Sequence, residues 1–270
     1  MDDFRGRVAV ITGGGGGIGA AMARAFAARG AHVALADIDE GAATAVADEL
    51  QRGGAQALAV RTDVTRLESV RALADAVERR FGAVHIVCNN AGVATFGEIA
   101  SATHADWEFT ISVNLWGVVH GVETFVPRLL AQGQGGHIVN TASMAGLVGM
   151  RWLGIYCASK FAVVGLTEAL HRELTDHRIG VSVLCPMIVD TPINENSVTR
   201  RPQGLRNAAD APIPPASAMA GGVITAEEVA RRVVRGIERR DFYILTHPEQ
   251  RDILRKRAAR QDRMFEPDIF

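Results

Sequence analysis

The chain has 270 residues, 48% of them hydrophobic, with a formal net charge of -1, enough to bury one large core within a single domain. Its basic residues are scattered rather than gathered into a block, so it lacks the electrostatic footprint of a nucleic-acid or anionic-membrane binder. The start, Met1-Asp2-Asp3-Phe4-Arg5-Gly6-Arg7, is charged before a short apolar run, the wrong order for a secretory signal, and no apolar stretch approaches a membrane span; a cytoplasmic protein is expected.

From residue 8 onward, short β-branched runs alternate with Ala-rich helical stretches. Strands are predicted at 8–12, 32–36, 57–61 and 84–89, with intervening helices ending near Arg29, Arg52 and Phe81. Such alternation, with nearly continuous apolar strands, predicts an α/β doubly wound fold: a parallel sheet with helices on both faces. The second half continues with a long helix over about 103–131, a strand at 137–141, a helix over about 156–177 and a strand at 181–185. Residues 190–222 break the pattern, being rich in Pro, Asn, Ala and Gly without sustained periodicity; so long a segment within a compact domain reads as a substrate lid. Thr225-Ala226-Glu227-Glu228 has the form of a capping box and starts a helix to about Arg240, followed by a last strand at 242–245. In the tail from about 247, arginines are interleaved with Ile253, Leu254 and Met264, as in a solvated or subunit-contacting helix.

The run Thr12-Gly13-Gly14-Gly15-Gly16-Gly17-Ile18-Gly19 links the first strand to the first helix. Glycines let the backbone approach a pyrophosphate, and the helix N-terminus offers free N–H groups and a positive dipole end. Two registers fit: Gly14, Gly16 and Gly19, or Gly13, Gly17 and Gly19. Asp37, about twenty residues beyond, follows the second strand, where a carboxylate accepts hydrogen bonds from an adenosine ribose and repels a 2′-phosphate. No Lys or Arg lies within the glycine loop or directly after Asp37, so NAD(H) is favoured over NADP(H). Asp39 offers a second carboxylate or a helix cap. Tyr156 and Lys160 are four apart and share a helix face, with Ser143 and Asn114 upstream. A phenol of pKa about 10 is a poor base until an adjacent ammonium favours its ionised form.

Thr12-Gly13-x-x-x-Gly17-Ile18-Gly19, Asp63-Val64, Asn89-Asn90-Ala91-Gly92, Asn114, Ser143 and Tyr156-x-x-x-Lys160 follow one another in the order and approximate spacing of the short-chain dehydrogenase/reductase family, which the chain resembles from about residue 6 to 246. The resemblance selects the second glycine register. It implies a single-domain enzyme with the Rossmann fold that oxidises a secondary alcohol or reduces a ketone with a nicotinamide cofactor. Asp63 and Val64 would flank the adenine, and Asn89, Asn90, Ala91 and Gly92 would shape the cofactor floor and the end of the fourth strand. Ser143 would hold the substrate oxygen, Tyr156 exchange its proton, Lys160 lower the phenol's pKa and bind the nicotinamide ribose, and Asn114 hold a water linking Lys160 to solvent. Thr191 would serve the carboxamide, although Met187 stands where the family has glycine. The stretches 124–128 and 136–139 loosely resemble members acting on bulky, often aromatic or lipophilic alcohols.

Cys88, Cys157 and Cys185 are widely separated, suiting buried thiols; Cys157 points about 100° from Tyr156 on a helix and is read as structural. The eight histidines form no metal-spaced pair, and no metal site is expected. An NADP(H)-preferring carbonyl reductase, a non-catalytic cofactor-binding regulator, and lyase or epimerase chemistry on the same scaffold are the alternatives. The helix over about 103–131 has apolar residues on more than one side, from Trp107 through Trp116 to Val126, implying a second buried face. In the family it forms a four-helix contact with the helix bearing the tyrosine, so a homodimer or homotetramer is expected.

Overall fold

The computed structural model describes residues 3–207 and 221–265. β1 (Val8–Thr12), β2 (His32–Asp37), β3 (Ala57–Arg61), β4 (Ile86–Asn89), β5 (Gly136–Thr141) and β6 (Ile179–Cys185) are β-branched or apolar and, apart from β3, almost wholly buried, as strands covered on both faces must be. With β9 (Tyr243–Leu245) they form one parallel sheet in the order β3-β2-β1-β4-β5-β6-β9. The doubly wound fold predicted from the alternating pattern, and the Rossmann fold implied by the resemblance, are therefore the fold observed.

On one face lie α1 (Gly17–Ala27), α2 (Glu40–Arg52) and α8 (Ala226–Arg239). Ala20, Ala21 and Ala23 keep α1 thin enough for Val229, Val233 and Ile237 of α8 to share its core. The other face is covered by α3 (Leu67–Phe81), a composite helix and α6 (Gly154–Glu173), around Val70, Leu73, Phe125, Leu129 and Leu170. The composite helix is the one expected over about 103–131. Thr103 caps it through a reciprocal box with Asp106, and α4 (His104–Ile111) passes through a π turn (Ser112–Trp116) into α5 (Gly117–Gln132).

One expectation is corrected. The last helical stretch before β6 ends at Glu173, and Thr175–His177 form a separate 3-10 turn before Arg178 in the left-handed region. The segment that breaks the alternating pattern carries short elements among its described residues: β7 (Val189–Asp190) pairs with β8 (Ile224–Thr225), and α7 (Ile193–Thr199) precedes a 3-10 turn at Gln203–Leu205. Pro192 and Pro202 bracket this short helix, where proline is tolerated; the middle of the lid, 208–220, lies outside the described residues. In the tail, α9 (Arg251–Asp262) buries none of its side chains.

Candidate active site

The strand order reverses between β1 and β4, and Thr12 ties the two strand ends together there. Its hydroxyl accepts from the amides of Asn90 (2.9 Å) and Ala91 (3.0 Å) and donates to the carbonyl of Cys88 (3.4 Å). A crevice at such a switch point is where ligands bind in doubly wound sheets. Here it is a cavity of about 640 Å³, running from Asp37, past the glycine loop, to Tyr156 and the lid.

The glycine loop is built for close approach. Gly13 and Gly17 hold left-handed backbones (φ 66° and 49°), and a Cβ on Gly19 would lie 2.0 Å from the Gly13 carbonyl oxygen. Gly19 therefore closes the turn from behind, while Gly13, Gly16, Gly17 and Ile18 line the cavity. The cap of α1, Gly16, has no side chain to satisfy the first helical N–H groups, and a Cβ there would meet nothing within 4 Å. Uncapped amides facing open space fit an anion.

At one end of the cavity, Asp37 accepts from the amides of Gly15 (2.9 Å) and Asp39 (3.0 Å). Asp39 itself caps α2 by accepting from Ala42 at 3.0 Å. Asp63, Val64, Asn90, Ala91 and Gly92 line the wall. Asn89 does not: its side chain donates to Asn140 (2.9 Å) and packs where a Cβ on Gly121 would come within 1.9 Å of its Oδ1. Alternation along a strand sends consecutive side chains to opposite faces, so Asn89 points into the helical layer.

At the other end, Ser143, Tyr156, Lys160, Met187 and Thr191 meet at the cavity. Ser143 caps the 3-10 turn Met144–Gly146, its hydroxyl accepting from Ala145 at 3.1 Å and donating to the Pro186 carbonyl at 3.3 Å. One turn of α6 separates the half-buried Tyr156 from buried Lys160, whose Nζ lies 5.6 Å from the phenol ring centre and donates to the Thr141 carbonyl at 2.9 Å. Burial pushes the phenol up to about 12, opposed by a hydrogen bond with Ser143, and burial pulls the Lys160 ammonium down to about 8. The sequence reading expected the ammonium to lower the phenol's pKa; here desolvation of both groups wins and favours the neutral form of each.

Asn114 lies in the π turn, fully buried behind the cavity wall. Its Oδ1 accepts from the Val93 amide (2.8 Å), and its Nδ2 donates to the Val93 carbonyl (2.9 Å) and to Ser159 (3.1 Å). Ser159 in turn donates to the Tyr156 carbonyl at 2.7 Å. Asn114 thus clamps the loop after β4 to the helix bearing Tyr156. π turns recur at functional sites.

The sequence reading missed Arg200. It follows α7, and its guanidinium reaches Asp37 (3.0 Å) and Asp39 (3.2 Å), placing a cation where the sequence suggested none. The neighbouring buried Arg201 pairs with Asp106 at 2.8 Å and anchors the segment after α7 to α4. The stretches 124–128 and 136–139 do not reach the cavity; Phe125 and Ile138 are core residues beneath α3 and α5. All three cysteines are buried and unpaired, and burial raises each thiol's pKa. Among the described residues no group of three His, Cys, Asp or Glu side chains is placed to hold a metal, and no helix is long and apolar enough to cross a membrane.

Residues 7–202 match the family model described as short chain dehydrogenase. The chain belongs to the short-chain dehydrogenase family. A solved short-chain dehydrogenase/reductase from Burkholderia phymatum in complex with NAD superimposes with a TM-score of 0.92 at 42% identity, covering 99% of this chain and 98% of that one. The C alpha-dehydrogenase of Sphingobium sp. is 35% identical over 261 residues, 95% of this chain and 85% of the relative. The 1-deoxy-11-beta-hydroxypentalenate dehydrogenase of Streptomyces exfoliatus is 36% identical over 256 residues, 92% of this chain and 86% of the relative. The chain is thus an oxidoreductase of this family, which uses nicotinamide cofactors.

Proposed function

We propose that this enzyme transfers a hydride between NAD(H) and a secondary alcohol or ketone with an apolar body, Tyr156 serving as general acid and base. The observation that carries the reading is the placement of Ser143 and Tyr156 on one wall of the cavity with the Lys160 ammonium one helical turn behind the phenol. Uncapped amides at Gly16 to Ile18, a buried carboxylate at Asp37 and an ammonium at Lys160 form a donor set that fits the pyrophosphate and the two riboses of a dinucleotide. The bound nicotinamide supplies the hydride acceptor or donor.

Ser143 holds the substrate oxygen against Tyr156, whose phenolate takes the alcohol proton in oxidation and whose hydroxyl gives it back in reduction. Lys160 binds the nicotinamide ribose and stabilises the phenolate as it forms. Asn114 is a positioning residue, fixing Val93 and, through Ser159, the start of α6. Thr191 lies against Gly17, where a Cβ would touch its methyl at 3.2 Å, and serves the carboxamide end. Phe96, Phe109, Met150, Leu153, Met187 and Leu205 line the space left for the substrate. Met187, in the family's glycine position, adds to this apolar wall. The segment 190–222 acts as the substrate lid.

Tyr156→Phe is expected to abolish turnover while leaving NADH affinity nearly unchanged, because it removes the transferable proton but little volume. Lys160→Met should impair both. NADH formation across secondary alcohols of graded size, together with NADH titration of each variant, checks this; near-normal turnover in Tyr156→Phe defeats the acid/base assignment.

A further inference from the structure

Asp37 is already engaged by three donors: Gly15 on Oδ2, and Asp39 and Arg200 on Oδ1. A carboxylate offers about four acceptor sites, so one remains free. A ribose diol presents two hydroxyl donors to such a carboxylate. The second hydroxyl must therefore compete with Arg200 for Oδ1. Arg200 is held from the lid side, at the end of α7, and its second nitrogen reaches Asp39 at 3.2 Å. Among the described residues lining the cavity the cationic side chains are Lys160 and Arg200, and Lys160 belongs to the phenol's end.

We propose that Arg200 is a specificity-determining residue for the cofactor: by holding Asp37 it weakens recognition of the NAD(H) ribose diol, and it supplies the cation that a 2′-phosphate requires beside that carboxylate. The inference rests on reading the cavity as a nicotinamide-dinucleotide site. Arginine suits both tasks, since its planar fork pairs with carboxylate and phosphate alike. Cofactor discrimination is then a balance between a strand-borne Asp37 and a lid-borne Arg200, which ties cofactor choice to the position of α7.

The test is fluorescence titration of the full-length protein with NADH and with NADPH at one ionic strength, for the parent, Arg200→Met and Arg200→Lys. Methionine keeps the apolar stem and removes the charge. The Met variant should bind NADH more tightly and NADPH more weakly, widening the ratio of Kd values by about tenfold, equivalent to about 1.4 kcal/mol. The Lys variant should recover part of the NADPH affinity. An unchanged or narrowed ratio in Arg200→Met, or a Lys variant indistinguishable from it, overturns the role of Arg200. A parent that prefers NADPH defeats instead the NAD(H) preference assigned to Asp37, while the shift in ratio still reports on Arg200. A parent that binds neither cofactor defeats both.

Discussion

At the residue scale, Asp37 shows how one carboxylate serves structure and recognition together. It is buried, accepts amides from the glycine loop and from the start of α2, and so fixes both elements that frame its end of the cavity. A 2′-phosphate brought against it faces a like charge in a partly desolvated setting, which the Arg200 guanidinium offsets only in part. Asp37→Ala should therefore weaken NADH binding and narrow the preference for NAD(H), by about tenfold for each 1.4 kcal/mol of discrimination lost. Catalytic efficiencies with both cofactors, for parent and variant, check this; a variant that keeps the parent's ratio removes Asp37 from cofactor choice. Asp37 was legible because it closes an apolar strand about twenty residues past a glycine run, and Tyr156 and Lys160 because their spacing puts them on one helix face and they fall in order with the other motifs of the family. Arg200 was not: its partner lies 163 residues away, and nothing periodic in the lid marks it. Asn89 was misjudged because family order says which residues occur, whereas the pleat decides which way each one faces.

At the element scale, the strands and caps were legible and the irregularities were not. An N-cap residue or an apolar run is a local signal, and Thr225 caps α8, although Glu228 turns to Arg231 and Arg232 instead of completing a box; the π turn at Ser112–Trp116 and the short helix α7 depend on tertiary partners such as Val93 for Asn114 and Asp106 for Arg201. The sheet also holds two neutral histidines with a measurable consequence. Ser182 donates its hydroxyl proton to the Asp241 carbonyl (2.6 Å), so His137 Nε2, 2.8 Å from that hydroxyl, is the donor between them. His85 Nδ1 accepts from the Val8 amide at 3.1 Å, leaving its Nε2 to donate to Gln134. Burial pushes His137 down to about 3 and lowers His85 as well. The unfolded chain takes up protons at ordinary histidine values, near pH 6.5, that the folded protein refuses. Stability is thus fully present above about pH 6.5 and falls as pH drops toward 3, by up to about 1.4 kcal/mol per pH unit for His137. Urea midpoints between pH 7.5 and 5 should decline in the parent and decline less steeply in His137→Gln, which keeps a donor for Ser182. Parallel slopes would show that other groups carry the acid sensitivity.

At the scale of the whole molecule, the composite α4–α5 helix has an inner and an outer role. Its inner side holds Asn114, wholly buried, while two residues on, Trp116 is 51% exposed, with Leu115, Val119, Val122 and Val126 only partly covered. The helix is bordered by ion pairs that tie it to α3, Arg71 with Glu123 and Arg128 with Asp75 and Glu78. Such exposed pairs contribute little to stability, but they form a polar rim beside an apolar stripe, the pattern of an interaction face. A second copy of the chain related by a two-fold axis would cover the stripe on both partners at once, and the resulting contact would support the helix whose π turn clamps the loop after β4. Light scattering at micromolar concentration should therefore give a mass of two or four times 28.8 kDa. Trp116→Asp, which puts a charge at the centre of the stripe, should shift the population toward the monomer. If Asn114 depends on that support, turnover of the variant should fall on dilution more steeply than that of the parent while NADH still binds. A parent that scatters as a monomer, or a Trp116→Asp variant with unchanged mass, would leave this face without a partner copy.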